Sequence, residues 1–214
     1  MMEKDLSNYR ESYDKDELHK QNTPENPMEL FRDWFLIADE QEPEANAMNI
    51  ATLGLDGYPK NRMVLLKKFT WEGFIFYTNY ESEKGKAMAA NPHVCLSFFW
   101  QKLERQIIIK GQAEKIAENL SDGYFESRPD GSKLGAWASH QSEVVPSREY
   151  LDNKLSEYEA QFRGSEITRP SYWGGYLVRP VSIEFWQGRP NRMHDRLRYT
   201  LQEDYNWIKE RLAP

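Results

Sequence analysis

The chain of 214 residues carries one cysteine, four histidines and fewer cations than anions, and each shortage closes off a class of function. A single cysteine excludes an internal disulfide framework and any multi-cysteine zinc site. Cys95 stands among Val94, Leu96 and Phe98, so it reads as a core thiol rather than a nucleophile. His19, His93, His140 and His194 are scattered without ligand spacing, and no metal is expected. Lys and Arg number 28 against 34 Asp and Glu, a net charge of −6, which argues against a dedicated nucleic-acid binder. The longest apolar stretch, Val94 to Trp100, is broken by Ser97 and falls far short of the roughly 20 residues a membrane-crossing helix needs. Phosphate loops are missing: Ser82-Glu83-Lys84-Gly85-Lys86 contains Gly-Lys but lacks the upstream glycine and the following Ser/Thr. There is no dinucleotide fingerprint and no Gly-x-Ser-x-Gly elbow. The start, Met1-Met2-Glu3-Lys4-Asp5, lacks the apolar core of a secretion signal, so the expected compartment is the cytoplasm.

What is present is a buriable core, with 14% aromatic residues. Residues 1–25 are polar and aperiodic and read as a mobile arm; 26–214 read as a single domain. Asn26-Pro27 is a helix start, followed by Leu30, Phe31, Trp34, Phe35 and Ala38 at helical spacing. From Ala47 the period shortens. Strands are expected at Met48–Leu53, Asn61–Phe69, Phe74–Thr78, His93–Trp100 and Leu103–Ile116, the first two joined by an Asp56-Gly57 turn. A short helix follows Ser82, and helical pieces fill Ser121 to Phe162, with Ser121 and Ser147 as caps. Strands return at Gly175–Arg179, Ser182–Gln187 and Arg192–Leu197, with a last one ending at Arg211. The class is mainly β with inserted helices, an α+β or barrel arrangement.

Several groupings carry chemistry. In the stretch from Ile183 to Arg196, strand alternation puts Arg192, His194 and Arg196 on one face, beside Trp186. Cationic neighbours on one face suit a ligand with anionic and aromatic parts. Alone, the pattern fits better a solvated edge strand with its arginines paired to Glu184 and Asp195. Arg62-Met63-Val64-Leu65-Leu66-Lys67 has a cation at each end; the odd spacing sends the two to opposite faces unless a bulge intervenes. Tyr77-Thr78 runs toward a helix start where Lys84 is unfavourable to the dipole unless an anion binds. Tyr124, Arg128 and Ser132 share a spacing of four, but Pro129 breaks the helix, so a loop must place them. Gln106, Gln141 and Ser142 offer groups that read a heterocycle edge, or are simply solvated.

Taken together these residues resemble the pyridoxamine 5'-phosphate oxidase family. The resemblance rests on the stretch from Glu184 to Arg196 and on Arg62–Lys67, Tyr77-Thr78, Glu104-Arg105-Gln106, Ser127-Arg128-Pro129, Gln141-Ser142 and Trp173-Gly174-Gly175. It implies a homodimeric split β-barrel with FMN at the interface. The implied cofactor set is Arg62, Met63, Val64, Leu65, Leu66, Lys67, Tyr77, Thr78, Lys84, Gln106, Gln141, Ser142, Trp186 and Arg196. The implied substrate set is Lys67, Tyr124, Arg128 and Ser132 around a phosphate and Arg192 and His194, the reacting pair, beside a pyridine ring. Arg10 and Tyr13 resemble a lid element. The implied reaction is oxidation of pyridoxamine or pyridoxine 5'-phosphate by O2 to pyridoxal 5'-phosphate, with hydrogen peroxide and, from the amine, ammonia. One departure stands out. Many members carry Ser-Arg-Lys where this chain has Ser82-Glu83-Lys84, and Glu83 is expected to point away, leaving Arg62 and Lys84 to carry the FMN phosphate. A split-barrel flavin reductase, another oxidoreductase of that fold and a non-catalytic flavin-binding module are the alternatives.

Overall fold

The computed structural model describes residues 3–214. In chain order the elements are α1 (Pro27–Gln41), β1 (Ala47–Leu53), β2 (Pro59–Leu65), β3 (Lys68–Thr70), β4 (Gly73–Asn79), α2 (Glu83–Ala90), β5 (His93–Trp100) and β6 (Arg105–Lys115). There follow α3 (Glu118–Glu126), α4 (Asp130–Ala138), α5 (Arg148–Gln161), β7 (Trp173–Gln187), β8 (Asp195–Leu201) and β9 (Trp207–Leu212). The chain forms two compact units: one is the chain up to Ala45 with Ser97–Ile109 and Val181–Pro214, the other Asn46–Leu96 with Lys110–Pro180. Among the described residues no helix is long and apolar enough to cross a membrane.

In the first unit α1 starts as its sequence dictates. The Asn26 side chain accepts from the Met28 N–H at 2.9 Å, and Pro27 occupies a position whose N–H has no helical partner. Its buried stripe of Leu30, Phe31, Trp34 and Ala38 meets Phe98 and Phe185, with Trp34 edge-on to Phe185 at 5.2 Å. β7, β8 and β9 pair antiparallel, from Ser182↔Thr200 to Gln187↔Asp195 and from Arg196↔Leu212 to Leu201↔Trp207. The arm is tied down along residues 14–18. Glu104, left-handed at φ 53°, accepts the N–H groups of Asp14 and Lys15, and Asp195 accepts that of Leu18.

In the second unit β1 and β2 form the expected hairpin, Ala47↔Leu65 through Leu53↔Pro59, around Gly57 at φ +81°. That conformation costs glycine nothing and any other residue something. The strand order is β2-β1-β5-β6-β7-β4-β3. Ser82 caps α2, its hydroxyl accepting from the Gly85 N–H.

Four expectations are corrected. The strand drawn from Asn61 to Phe69 is two, β2 and β3; at the break Leu66 donates its N–H to Asn46 and Lys67 donates to Ile75. The strands drawn on either side of Pro180 are one, β7. Its partner along one edge is β4 up to Val178 and β8 from Ser182, so the missing N–H of Pro180 falls where that edge changes partner. Ser121 is not a cap: α3 begins at Glu118, and the buried Ser121 hydroxyl accepts from the Gly175 N–H at 3.1 Å. Residues 190–192 form a 3-10 turn rather than a strand start. Asn191 and Arg192 are left-handed, at φ 56° and 61°, and β8 begins only at Asp195.

Candidate active site

Among the described residues, two cavities of the second unit gather most of the expected site residues. The larger, about 650 Å³, is lined by Met63, Val64, Leu65 and Lys67 from β2 and the bend after it, by Tyr77 and Thr78 of β4, and by Lys84 of α2. Tyr124, Arg128 and Ser132 supply another part of the lining, together with Gln141 and Trp173. The break after Leu65 resets the alternation, so Lys67 joins its neighbours in the cavity. The same break turns Leu66 into the core at 4% exposure, which removes its side chain from the lining. Pro129 separates α3 from α4 as expected, and the turn it makes gathers Tyr124, Arg128 and Ser132.

The cavity combines stacked rings with uncompensated charge. Tyr77 and Tyr124 stack at 3.9 Å and 18°, and Trp173 lies nearly parallel to both. The Arg128 guanidinium sits 4.5 Å over the Trp173 ring, and its Nη1 is buried without a hydrogen-bond partner among the described residues. Burial holds its pKa below the usual arginine range. Lys84 is 8% exposed; its ammonium donates to Gln141 Oε1 at 2.6 Å and Thr78 Oγ1 at 3.2 Å. Burial, and then the charge of Arg62, pull the Lys84 pKa down to about 8. A protein leaves buried cations underpaired at a cost, and an anionic ligand is the usual reason.

The second cavity, about 550 Å³, is lined by Lys60, Arg62, Met63, Glu83, Lys84, Gln141 and Ser142. Arg62 Nη1 donates to Thr52 Oγ1 at 2.7 Å. Here Glu83 departs from expectation: it does not point away. It is paired with Lys60, and its second oxygen lies 3.9 Å from Arg62 Nη2. Lys60 was not among the expected site residues, although it stands two before Arg62 on β2 and so shares its face.

The first unit holds a third cavity, about 670 Å³, lined by Tyr9, Arg10, Tyr13, Arg189, Asn191, Arg192 and His194 among others. Arg192 and His194 meet here because of the left-handed turn, not because of strand alternation, and Arg196 is elsewhere. Arg196 Nε donates to Glu184 at 2.7 Å and Nη1 to the Ala213 carbonyl, the paired arrangement that the bland reading anticipated. His194 Nδ1 accepts the Arg189 N–H at 3.1 Å, which places any ring proton of the neutral form on Nε2. Burial and the neighbouring Arg192 push its pKa below the ordinary histidine value. Trp186 is 4.7 Å from the His194 ring, and Tyr13 stands edge-on to Trp186 at 5.8 Å. Gly188 permits this approach, since a Cβ there would lie 2.7 Å from the Tyr13 side chain. Gln106, Trp186 and Arg196 line none of the three cavities. The buried frame behind them also lay outside the expected set: Arg105 stacks on Trp34 at 4.3 Å and bonds Asp16 and Gln187.

The chain was compared with known proteins. The family model described as pyridoxamine 5'-phosphate oxidase matches residues 38–162, and that described as the pyridoxine 5'-phosphate oxidase C-terminal dimerisation region matches 173–214. A protein of Flavobacterium johnsoniae named pyridoxine/pyridoxamine 5'-phosphate oxidase is 63% identical over 211 residues, 98% of this chain and 99% of that one. One of the same name from Flavobacterium psychrophilum is 63% identical over 213 residues, covering 99% and 100%. Among solved structures, PhzG from Burkholderia lata, in complex with tetrahydrophenazine-1-carboxylic acid, superposes with a TM-score of 0.86 at 30% identity, covering 93% of this chain and 98% of that one. A pyridoxamine 5'-phosphate oxidase-related, FMN-binding protein from Nostoc punctiforme gives 0.71 at 15% identity, covering 90% and 100%, a likeness of fold alone. The fold is the split β-barrel with inserted helices, and the chain belongs to the pyridoxine/pyridoxamine 5'-phosphate oxidase family.

Proposed function

We propose that the protein is an FMN-dependent oxidase that converts pyridoxamine 5'-phosphate and pyridoxine 5'-phosphate to pyridoxal 5'-phosphate. O2 is the final acceptor, hydrogen peroxide is formed, and ammonia is released from the amine. The protein works as a homodimer with FMN at the interface. The observation that carries this reading is the ring wall of Tyr77, Tyr124 and Trp173 set with Arg128, whose buried Nη1 has no partner among the described residues. A phosphorylated aromatic molecule meets both needs at once.

The residues present fit FMN. Met63, Val64 and Leu65 offer apolar surface for a flat ring system, and Arg62 and Lys84 offer charge for its phosphate. FMN, when bound, supplies the two-electron acceptor for the hydride that leaves the substrate's exocyclic carbon. The chain's own part is binding and orientation. Leu66 supports the cofactor strand from the core side, while Tyr77, Thr78, Gln106, Gln141, Ser142, Trp186 and Arg196 complete the cofactor set. Lys67, Arg128 and Ser132 bind the substrate phosphate, with Tyr124 as a flat contact. Arg192 stabilises the substrate's anionic form, and His194, held by Arg189 with its Nε2 free, orients the reacting group. Arg10 and Tyr13 close over the ligand, and residues 1–25 act as the arm that carries them to 26–214, the catalytic domain.

The visible spectrum of the purified protein tests this. Flavin bands that bleach anaerobically with pyridoxamine 5'-phosphate are expected. A colourless protein that takes up no added FMN overturns the reading, and bleaching by a reduced nicotinamide but by neither B6 vitamer replaces it with a reductase.

A further inference from the structure

The pairing of Lys60 with Glu83 is not explained by the cofactor set above. Lys60 and Arg62 project from one face of β2 into the 550 Å³ cavity. Glu83 reaches both, one oxygen on the Lys60 ammonium and the other 3.9 Å from Arg62 Nη2. A carboxylate spanning two cations with separate oxygens is how a phosphoryl group would meet them. Lys60 is held on its other side by Asp56 at 2.9 Å, so it stays in place if Glu83 lets go. The cavity is lined by three cations, Lys60, Arg62 and Lys84, and one carboxylate, Glu83. Counting Asp56 on the far side of Lys60, the cluster has one cation in excess, and two once Glu83 leaves, which suits a phosphate dianion. Every participant except Lys84 is partly exposed, so the pair can open without unfolding the strand.

We propose that Glu83 is an internal stand-in for the FMN phosphate, and that Lys60 is a phosphate-binding residue of this chain. In the ligand-free protein Glu83 holds Lys60 and Arg62 together. On binding, the phosphate takes both cations, Glu83 swings to solvent, and Lys60 supplies the charge that position 83 lacks. FMN affinity is therefore set by a competition inside the protein, and a ligand without a phosphate does not enter it. The inference rests on the FMN reading above.

The test is fluorescence titration of the apo full-length protein with FMN and, in parallel, with riboflavin. Lys60→Ala is expected to weaken FMN about tenfold, the worth of one charge-assisted hydrogen bond, and to leave riboflavin unchanged. Glu83→Gln is expected to tighten FMN about threefold or more, again without moving riboflavin. In a Glu83→Arg background, Lys60→Ala should cost less than twofold, because the cation at 83 makes Lys60 redundant. Unchanged riboflavin binding shows that each variant is folded. An FMN affinity unmoved by Lys60→Ala, or an equal loss in both backgrounds, overturns this proposal while leaving the FMN reading intact. A wild-type chain that binds neither flavin overturns both.

Discussion

The arginines that frame the first unit and the cations that line the larger cavity of the second are arranged on opposite plans. In the first unit Arg32, Arg105, Arg189, Arg196, Arg198 and Arg211 each meet a carboxylate. Among the described residues, Arg10 and Arg192 are the arginines of that unit without an ion pair, and both line its cavity. In the second unit the cavity itself collects cations short of anions: the buried Lys84, and the half-buried Arg128 with its buried, unpartnered Nη1. One region is a paired frame that leaves particular cations free; the other is a receptor whose fold carries the cost of desolvated charge until a ligand offsets it.

Removing Arg192, one of the two arginines that the paired frame leaves free, has the largest expected effect. Arg192→Ala should lower kcat by roughly 100- to 1,000-fold, the scale for losing one preorganised charge at a reacting centre, with FMN still bound. Steady-state rates and the flavin spectrum of the same sample check both halves. Next in size is Arg128→Met, which keeps an apolar cover over Trp173 and deletes the charge. KM for the phosphorylated substrate should rise roughly 10- to 100-fold. Unfolding free energy of the apo protein should hold or increase, because an orphaned buried donor is gone. A loss of stability in urea would show that Arg128 is structural and would erase the contrast between the units.

The parts of this plan legible in the sequence were those set by local chemistry. α1 declares itself through Asn26, Pro27 and one apolar stripe, and the first hairpin through Asp56-Gly57. That the chain must turn at Pro129 was legible, and the turn gathers Tyr124, Arg128 and Ser132 on one cavity. What stayed hidden depended on partners distant in sequence. The break after Leu65 lies inside an unbroken apolar run, and only the bonds of Leu66 and Lys67 to Asn46 and Ile75 reveal it. Pro180 reads as a strand end, yet β7 runs through it because one edge changes partner there, from β4 to β8. Arg192, His194 and Arg196 were grouped by an alternation that the turn at Asn191 abolishes; the turn keeps the first two together and leaves Arg196 paired with Glu184. Glu83 was visible as a departure, but its direction was not, since that depends on Lys60, which stands on β2 while Glu83 opens α2.

Lys84 gives the contrast a pH signature. Its pKa is about 8 in the folded chain against an ordinary 10.5, so the unfolded chain binds more protons between those values. Its contribution to apo stability is therefore unfavourable below pH 8 and recovers as pH rises toward 10.5. FMN affinity runs the other way. A phosphate favours the ammonium, so affinity should fall by up to about tenfold per pH unit above 8. The groups around the amine are Thr78, Gln141, Arg62 and Glu83. Lys84→Met should flatten both slopes relative to the wild type, as read by urea unfolding and FMN titration from pH 7 to 10.

The smallest effect belongs to a cation of the paired frame. Arg211 bonds Asp195 and donates Nη2 to the Leu18 carbonyl at 2.7 Å, but its side chain is 43% exposed. When it is removed, Asp195 still accepts the Leu18 N–H at 3.1 Å and keeps Arg189 at 3.6 Å, so no carboxylate is stranded. Arg211→Ala should cost at most about 1 kcal/mol, a fall of about 2–4 °C in Tm, because exposed ion pairs are weak and screened. kcat and KM should not move, since the arm keeps its anchors at Glu104 and Arg105. A change in KM without a change in Tm would mean that this pair sets the arm's position rather than merely framing it, and the line between paired frame and ligand receptor would have to be redrawn through Asp195.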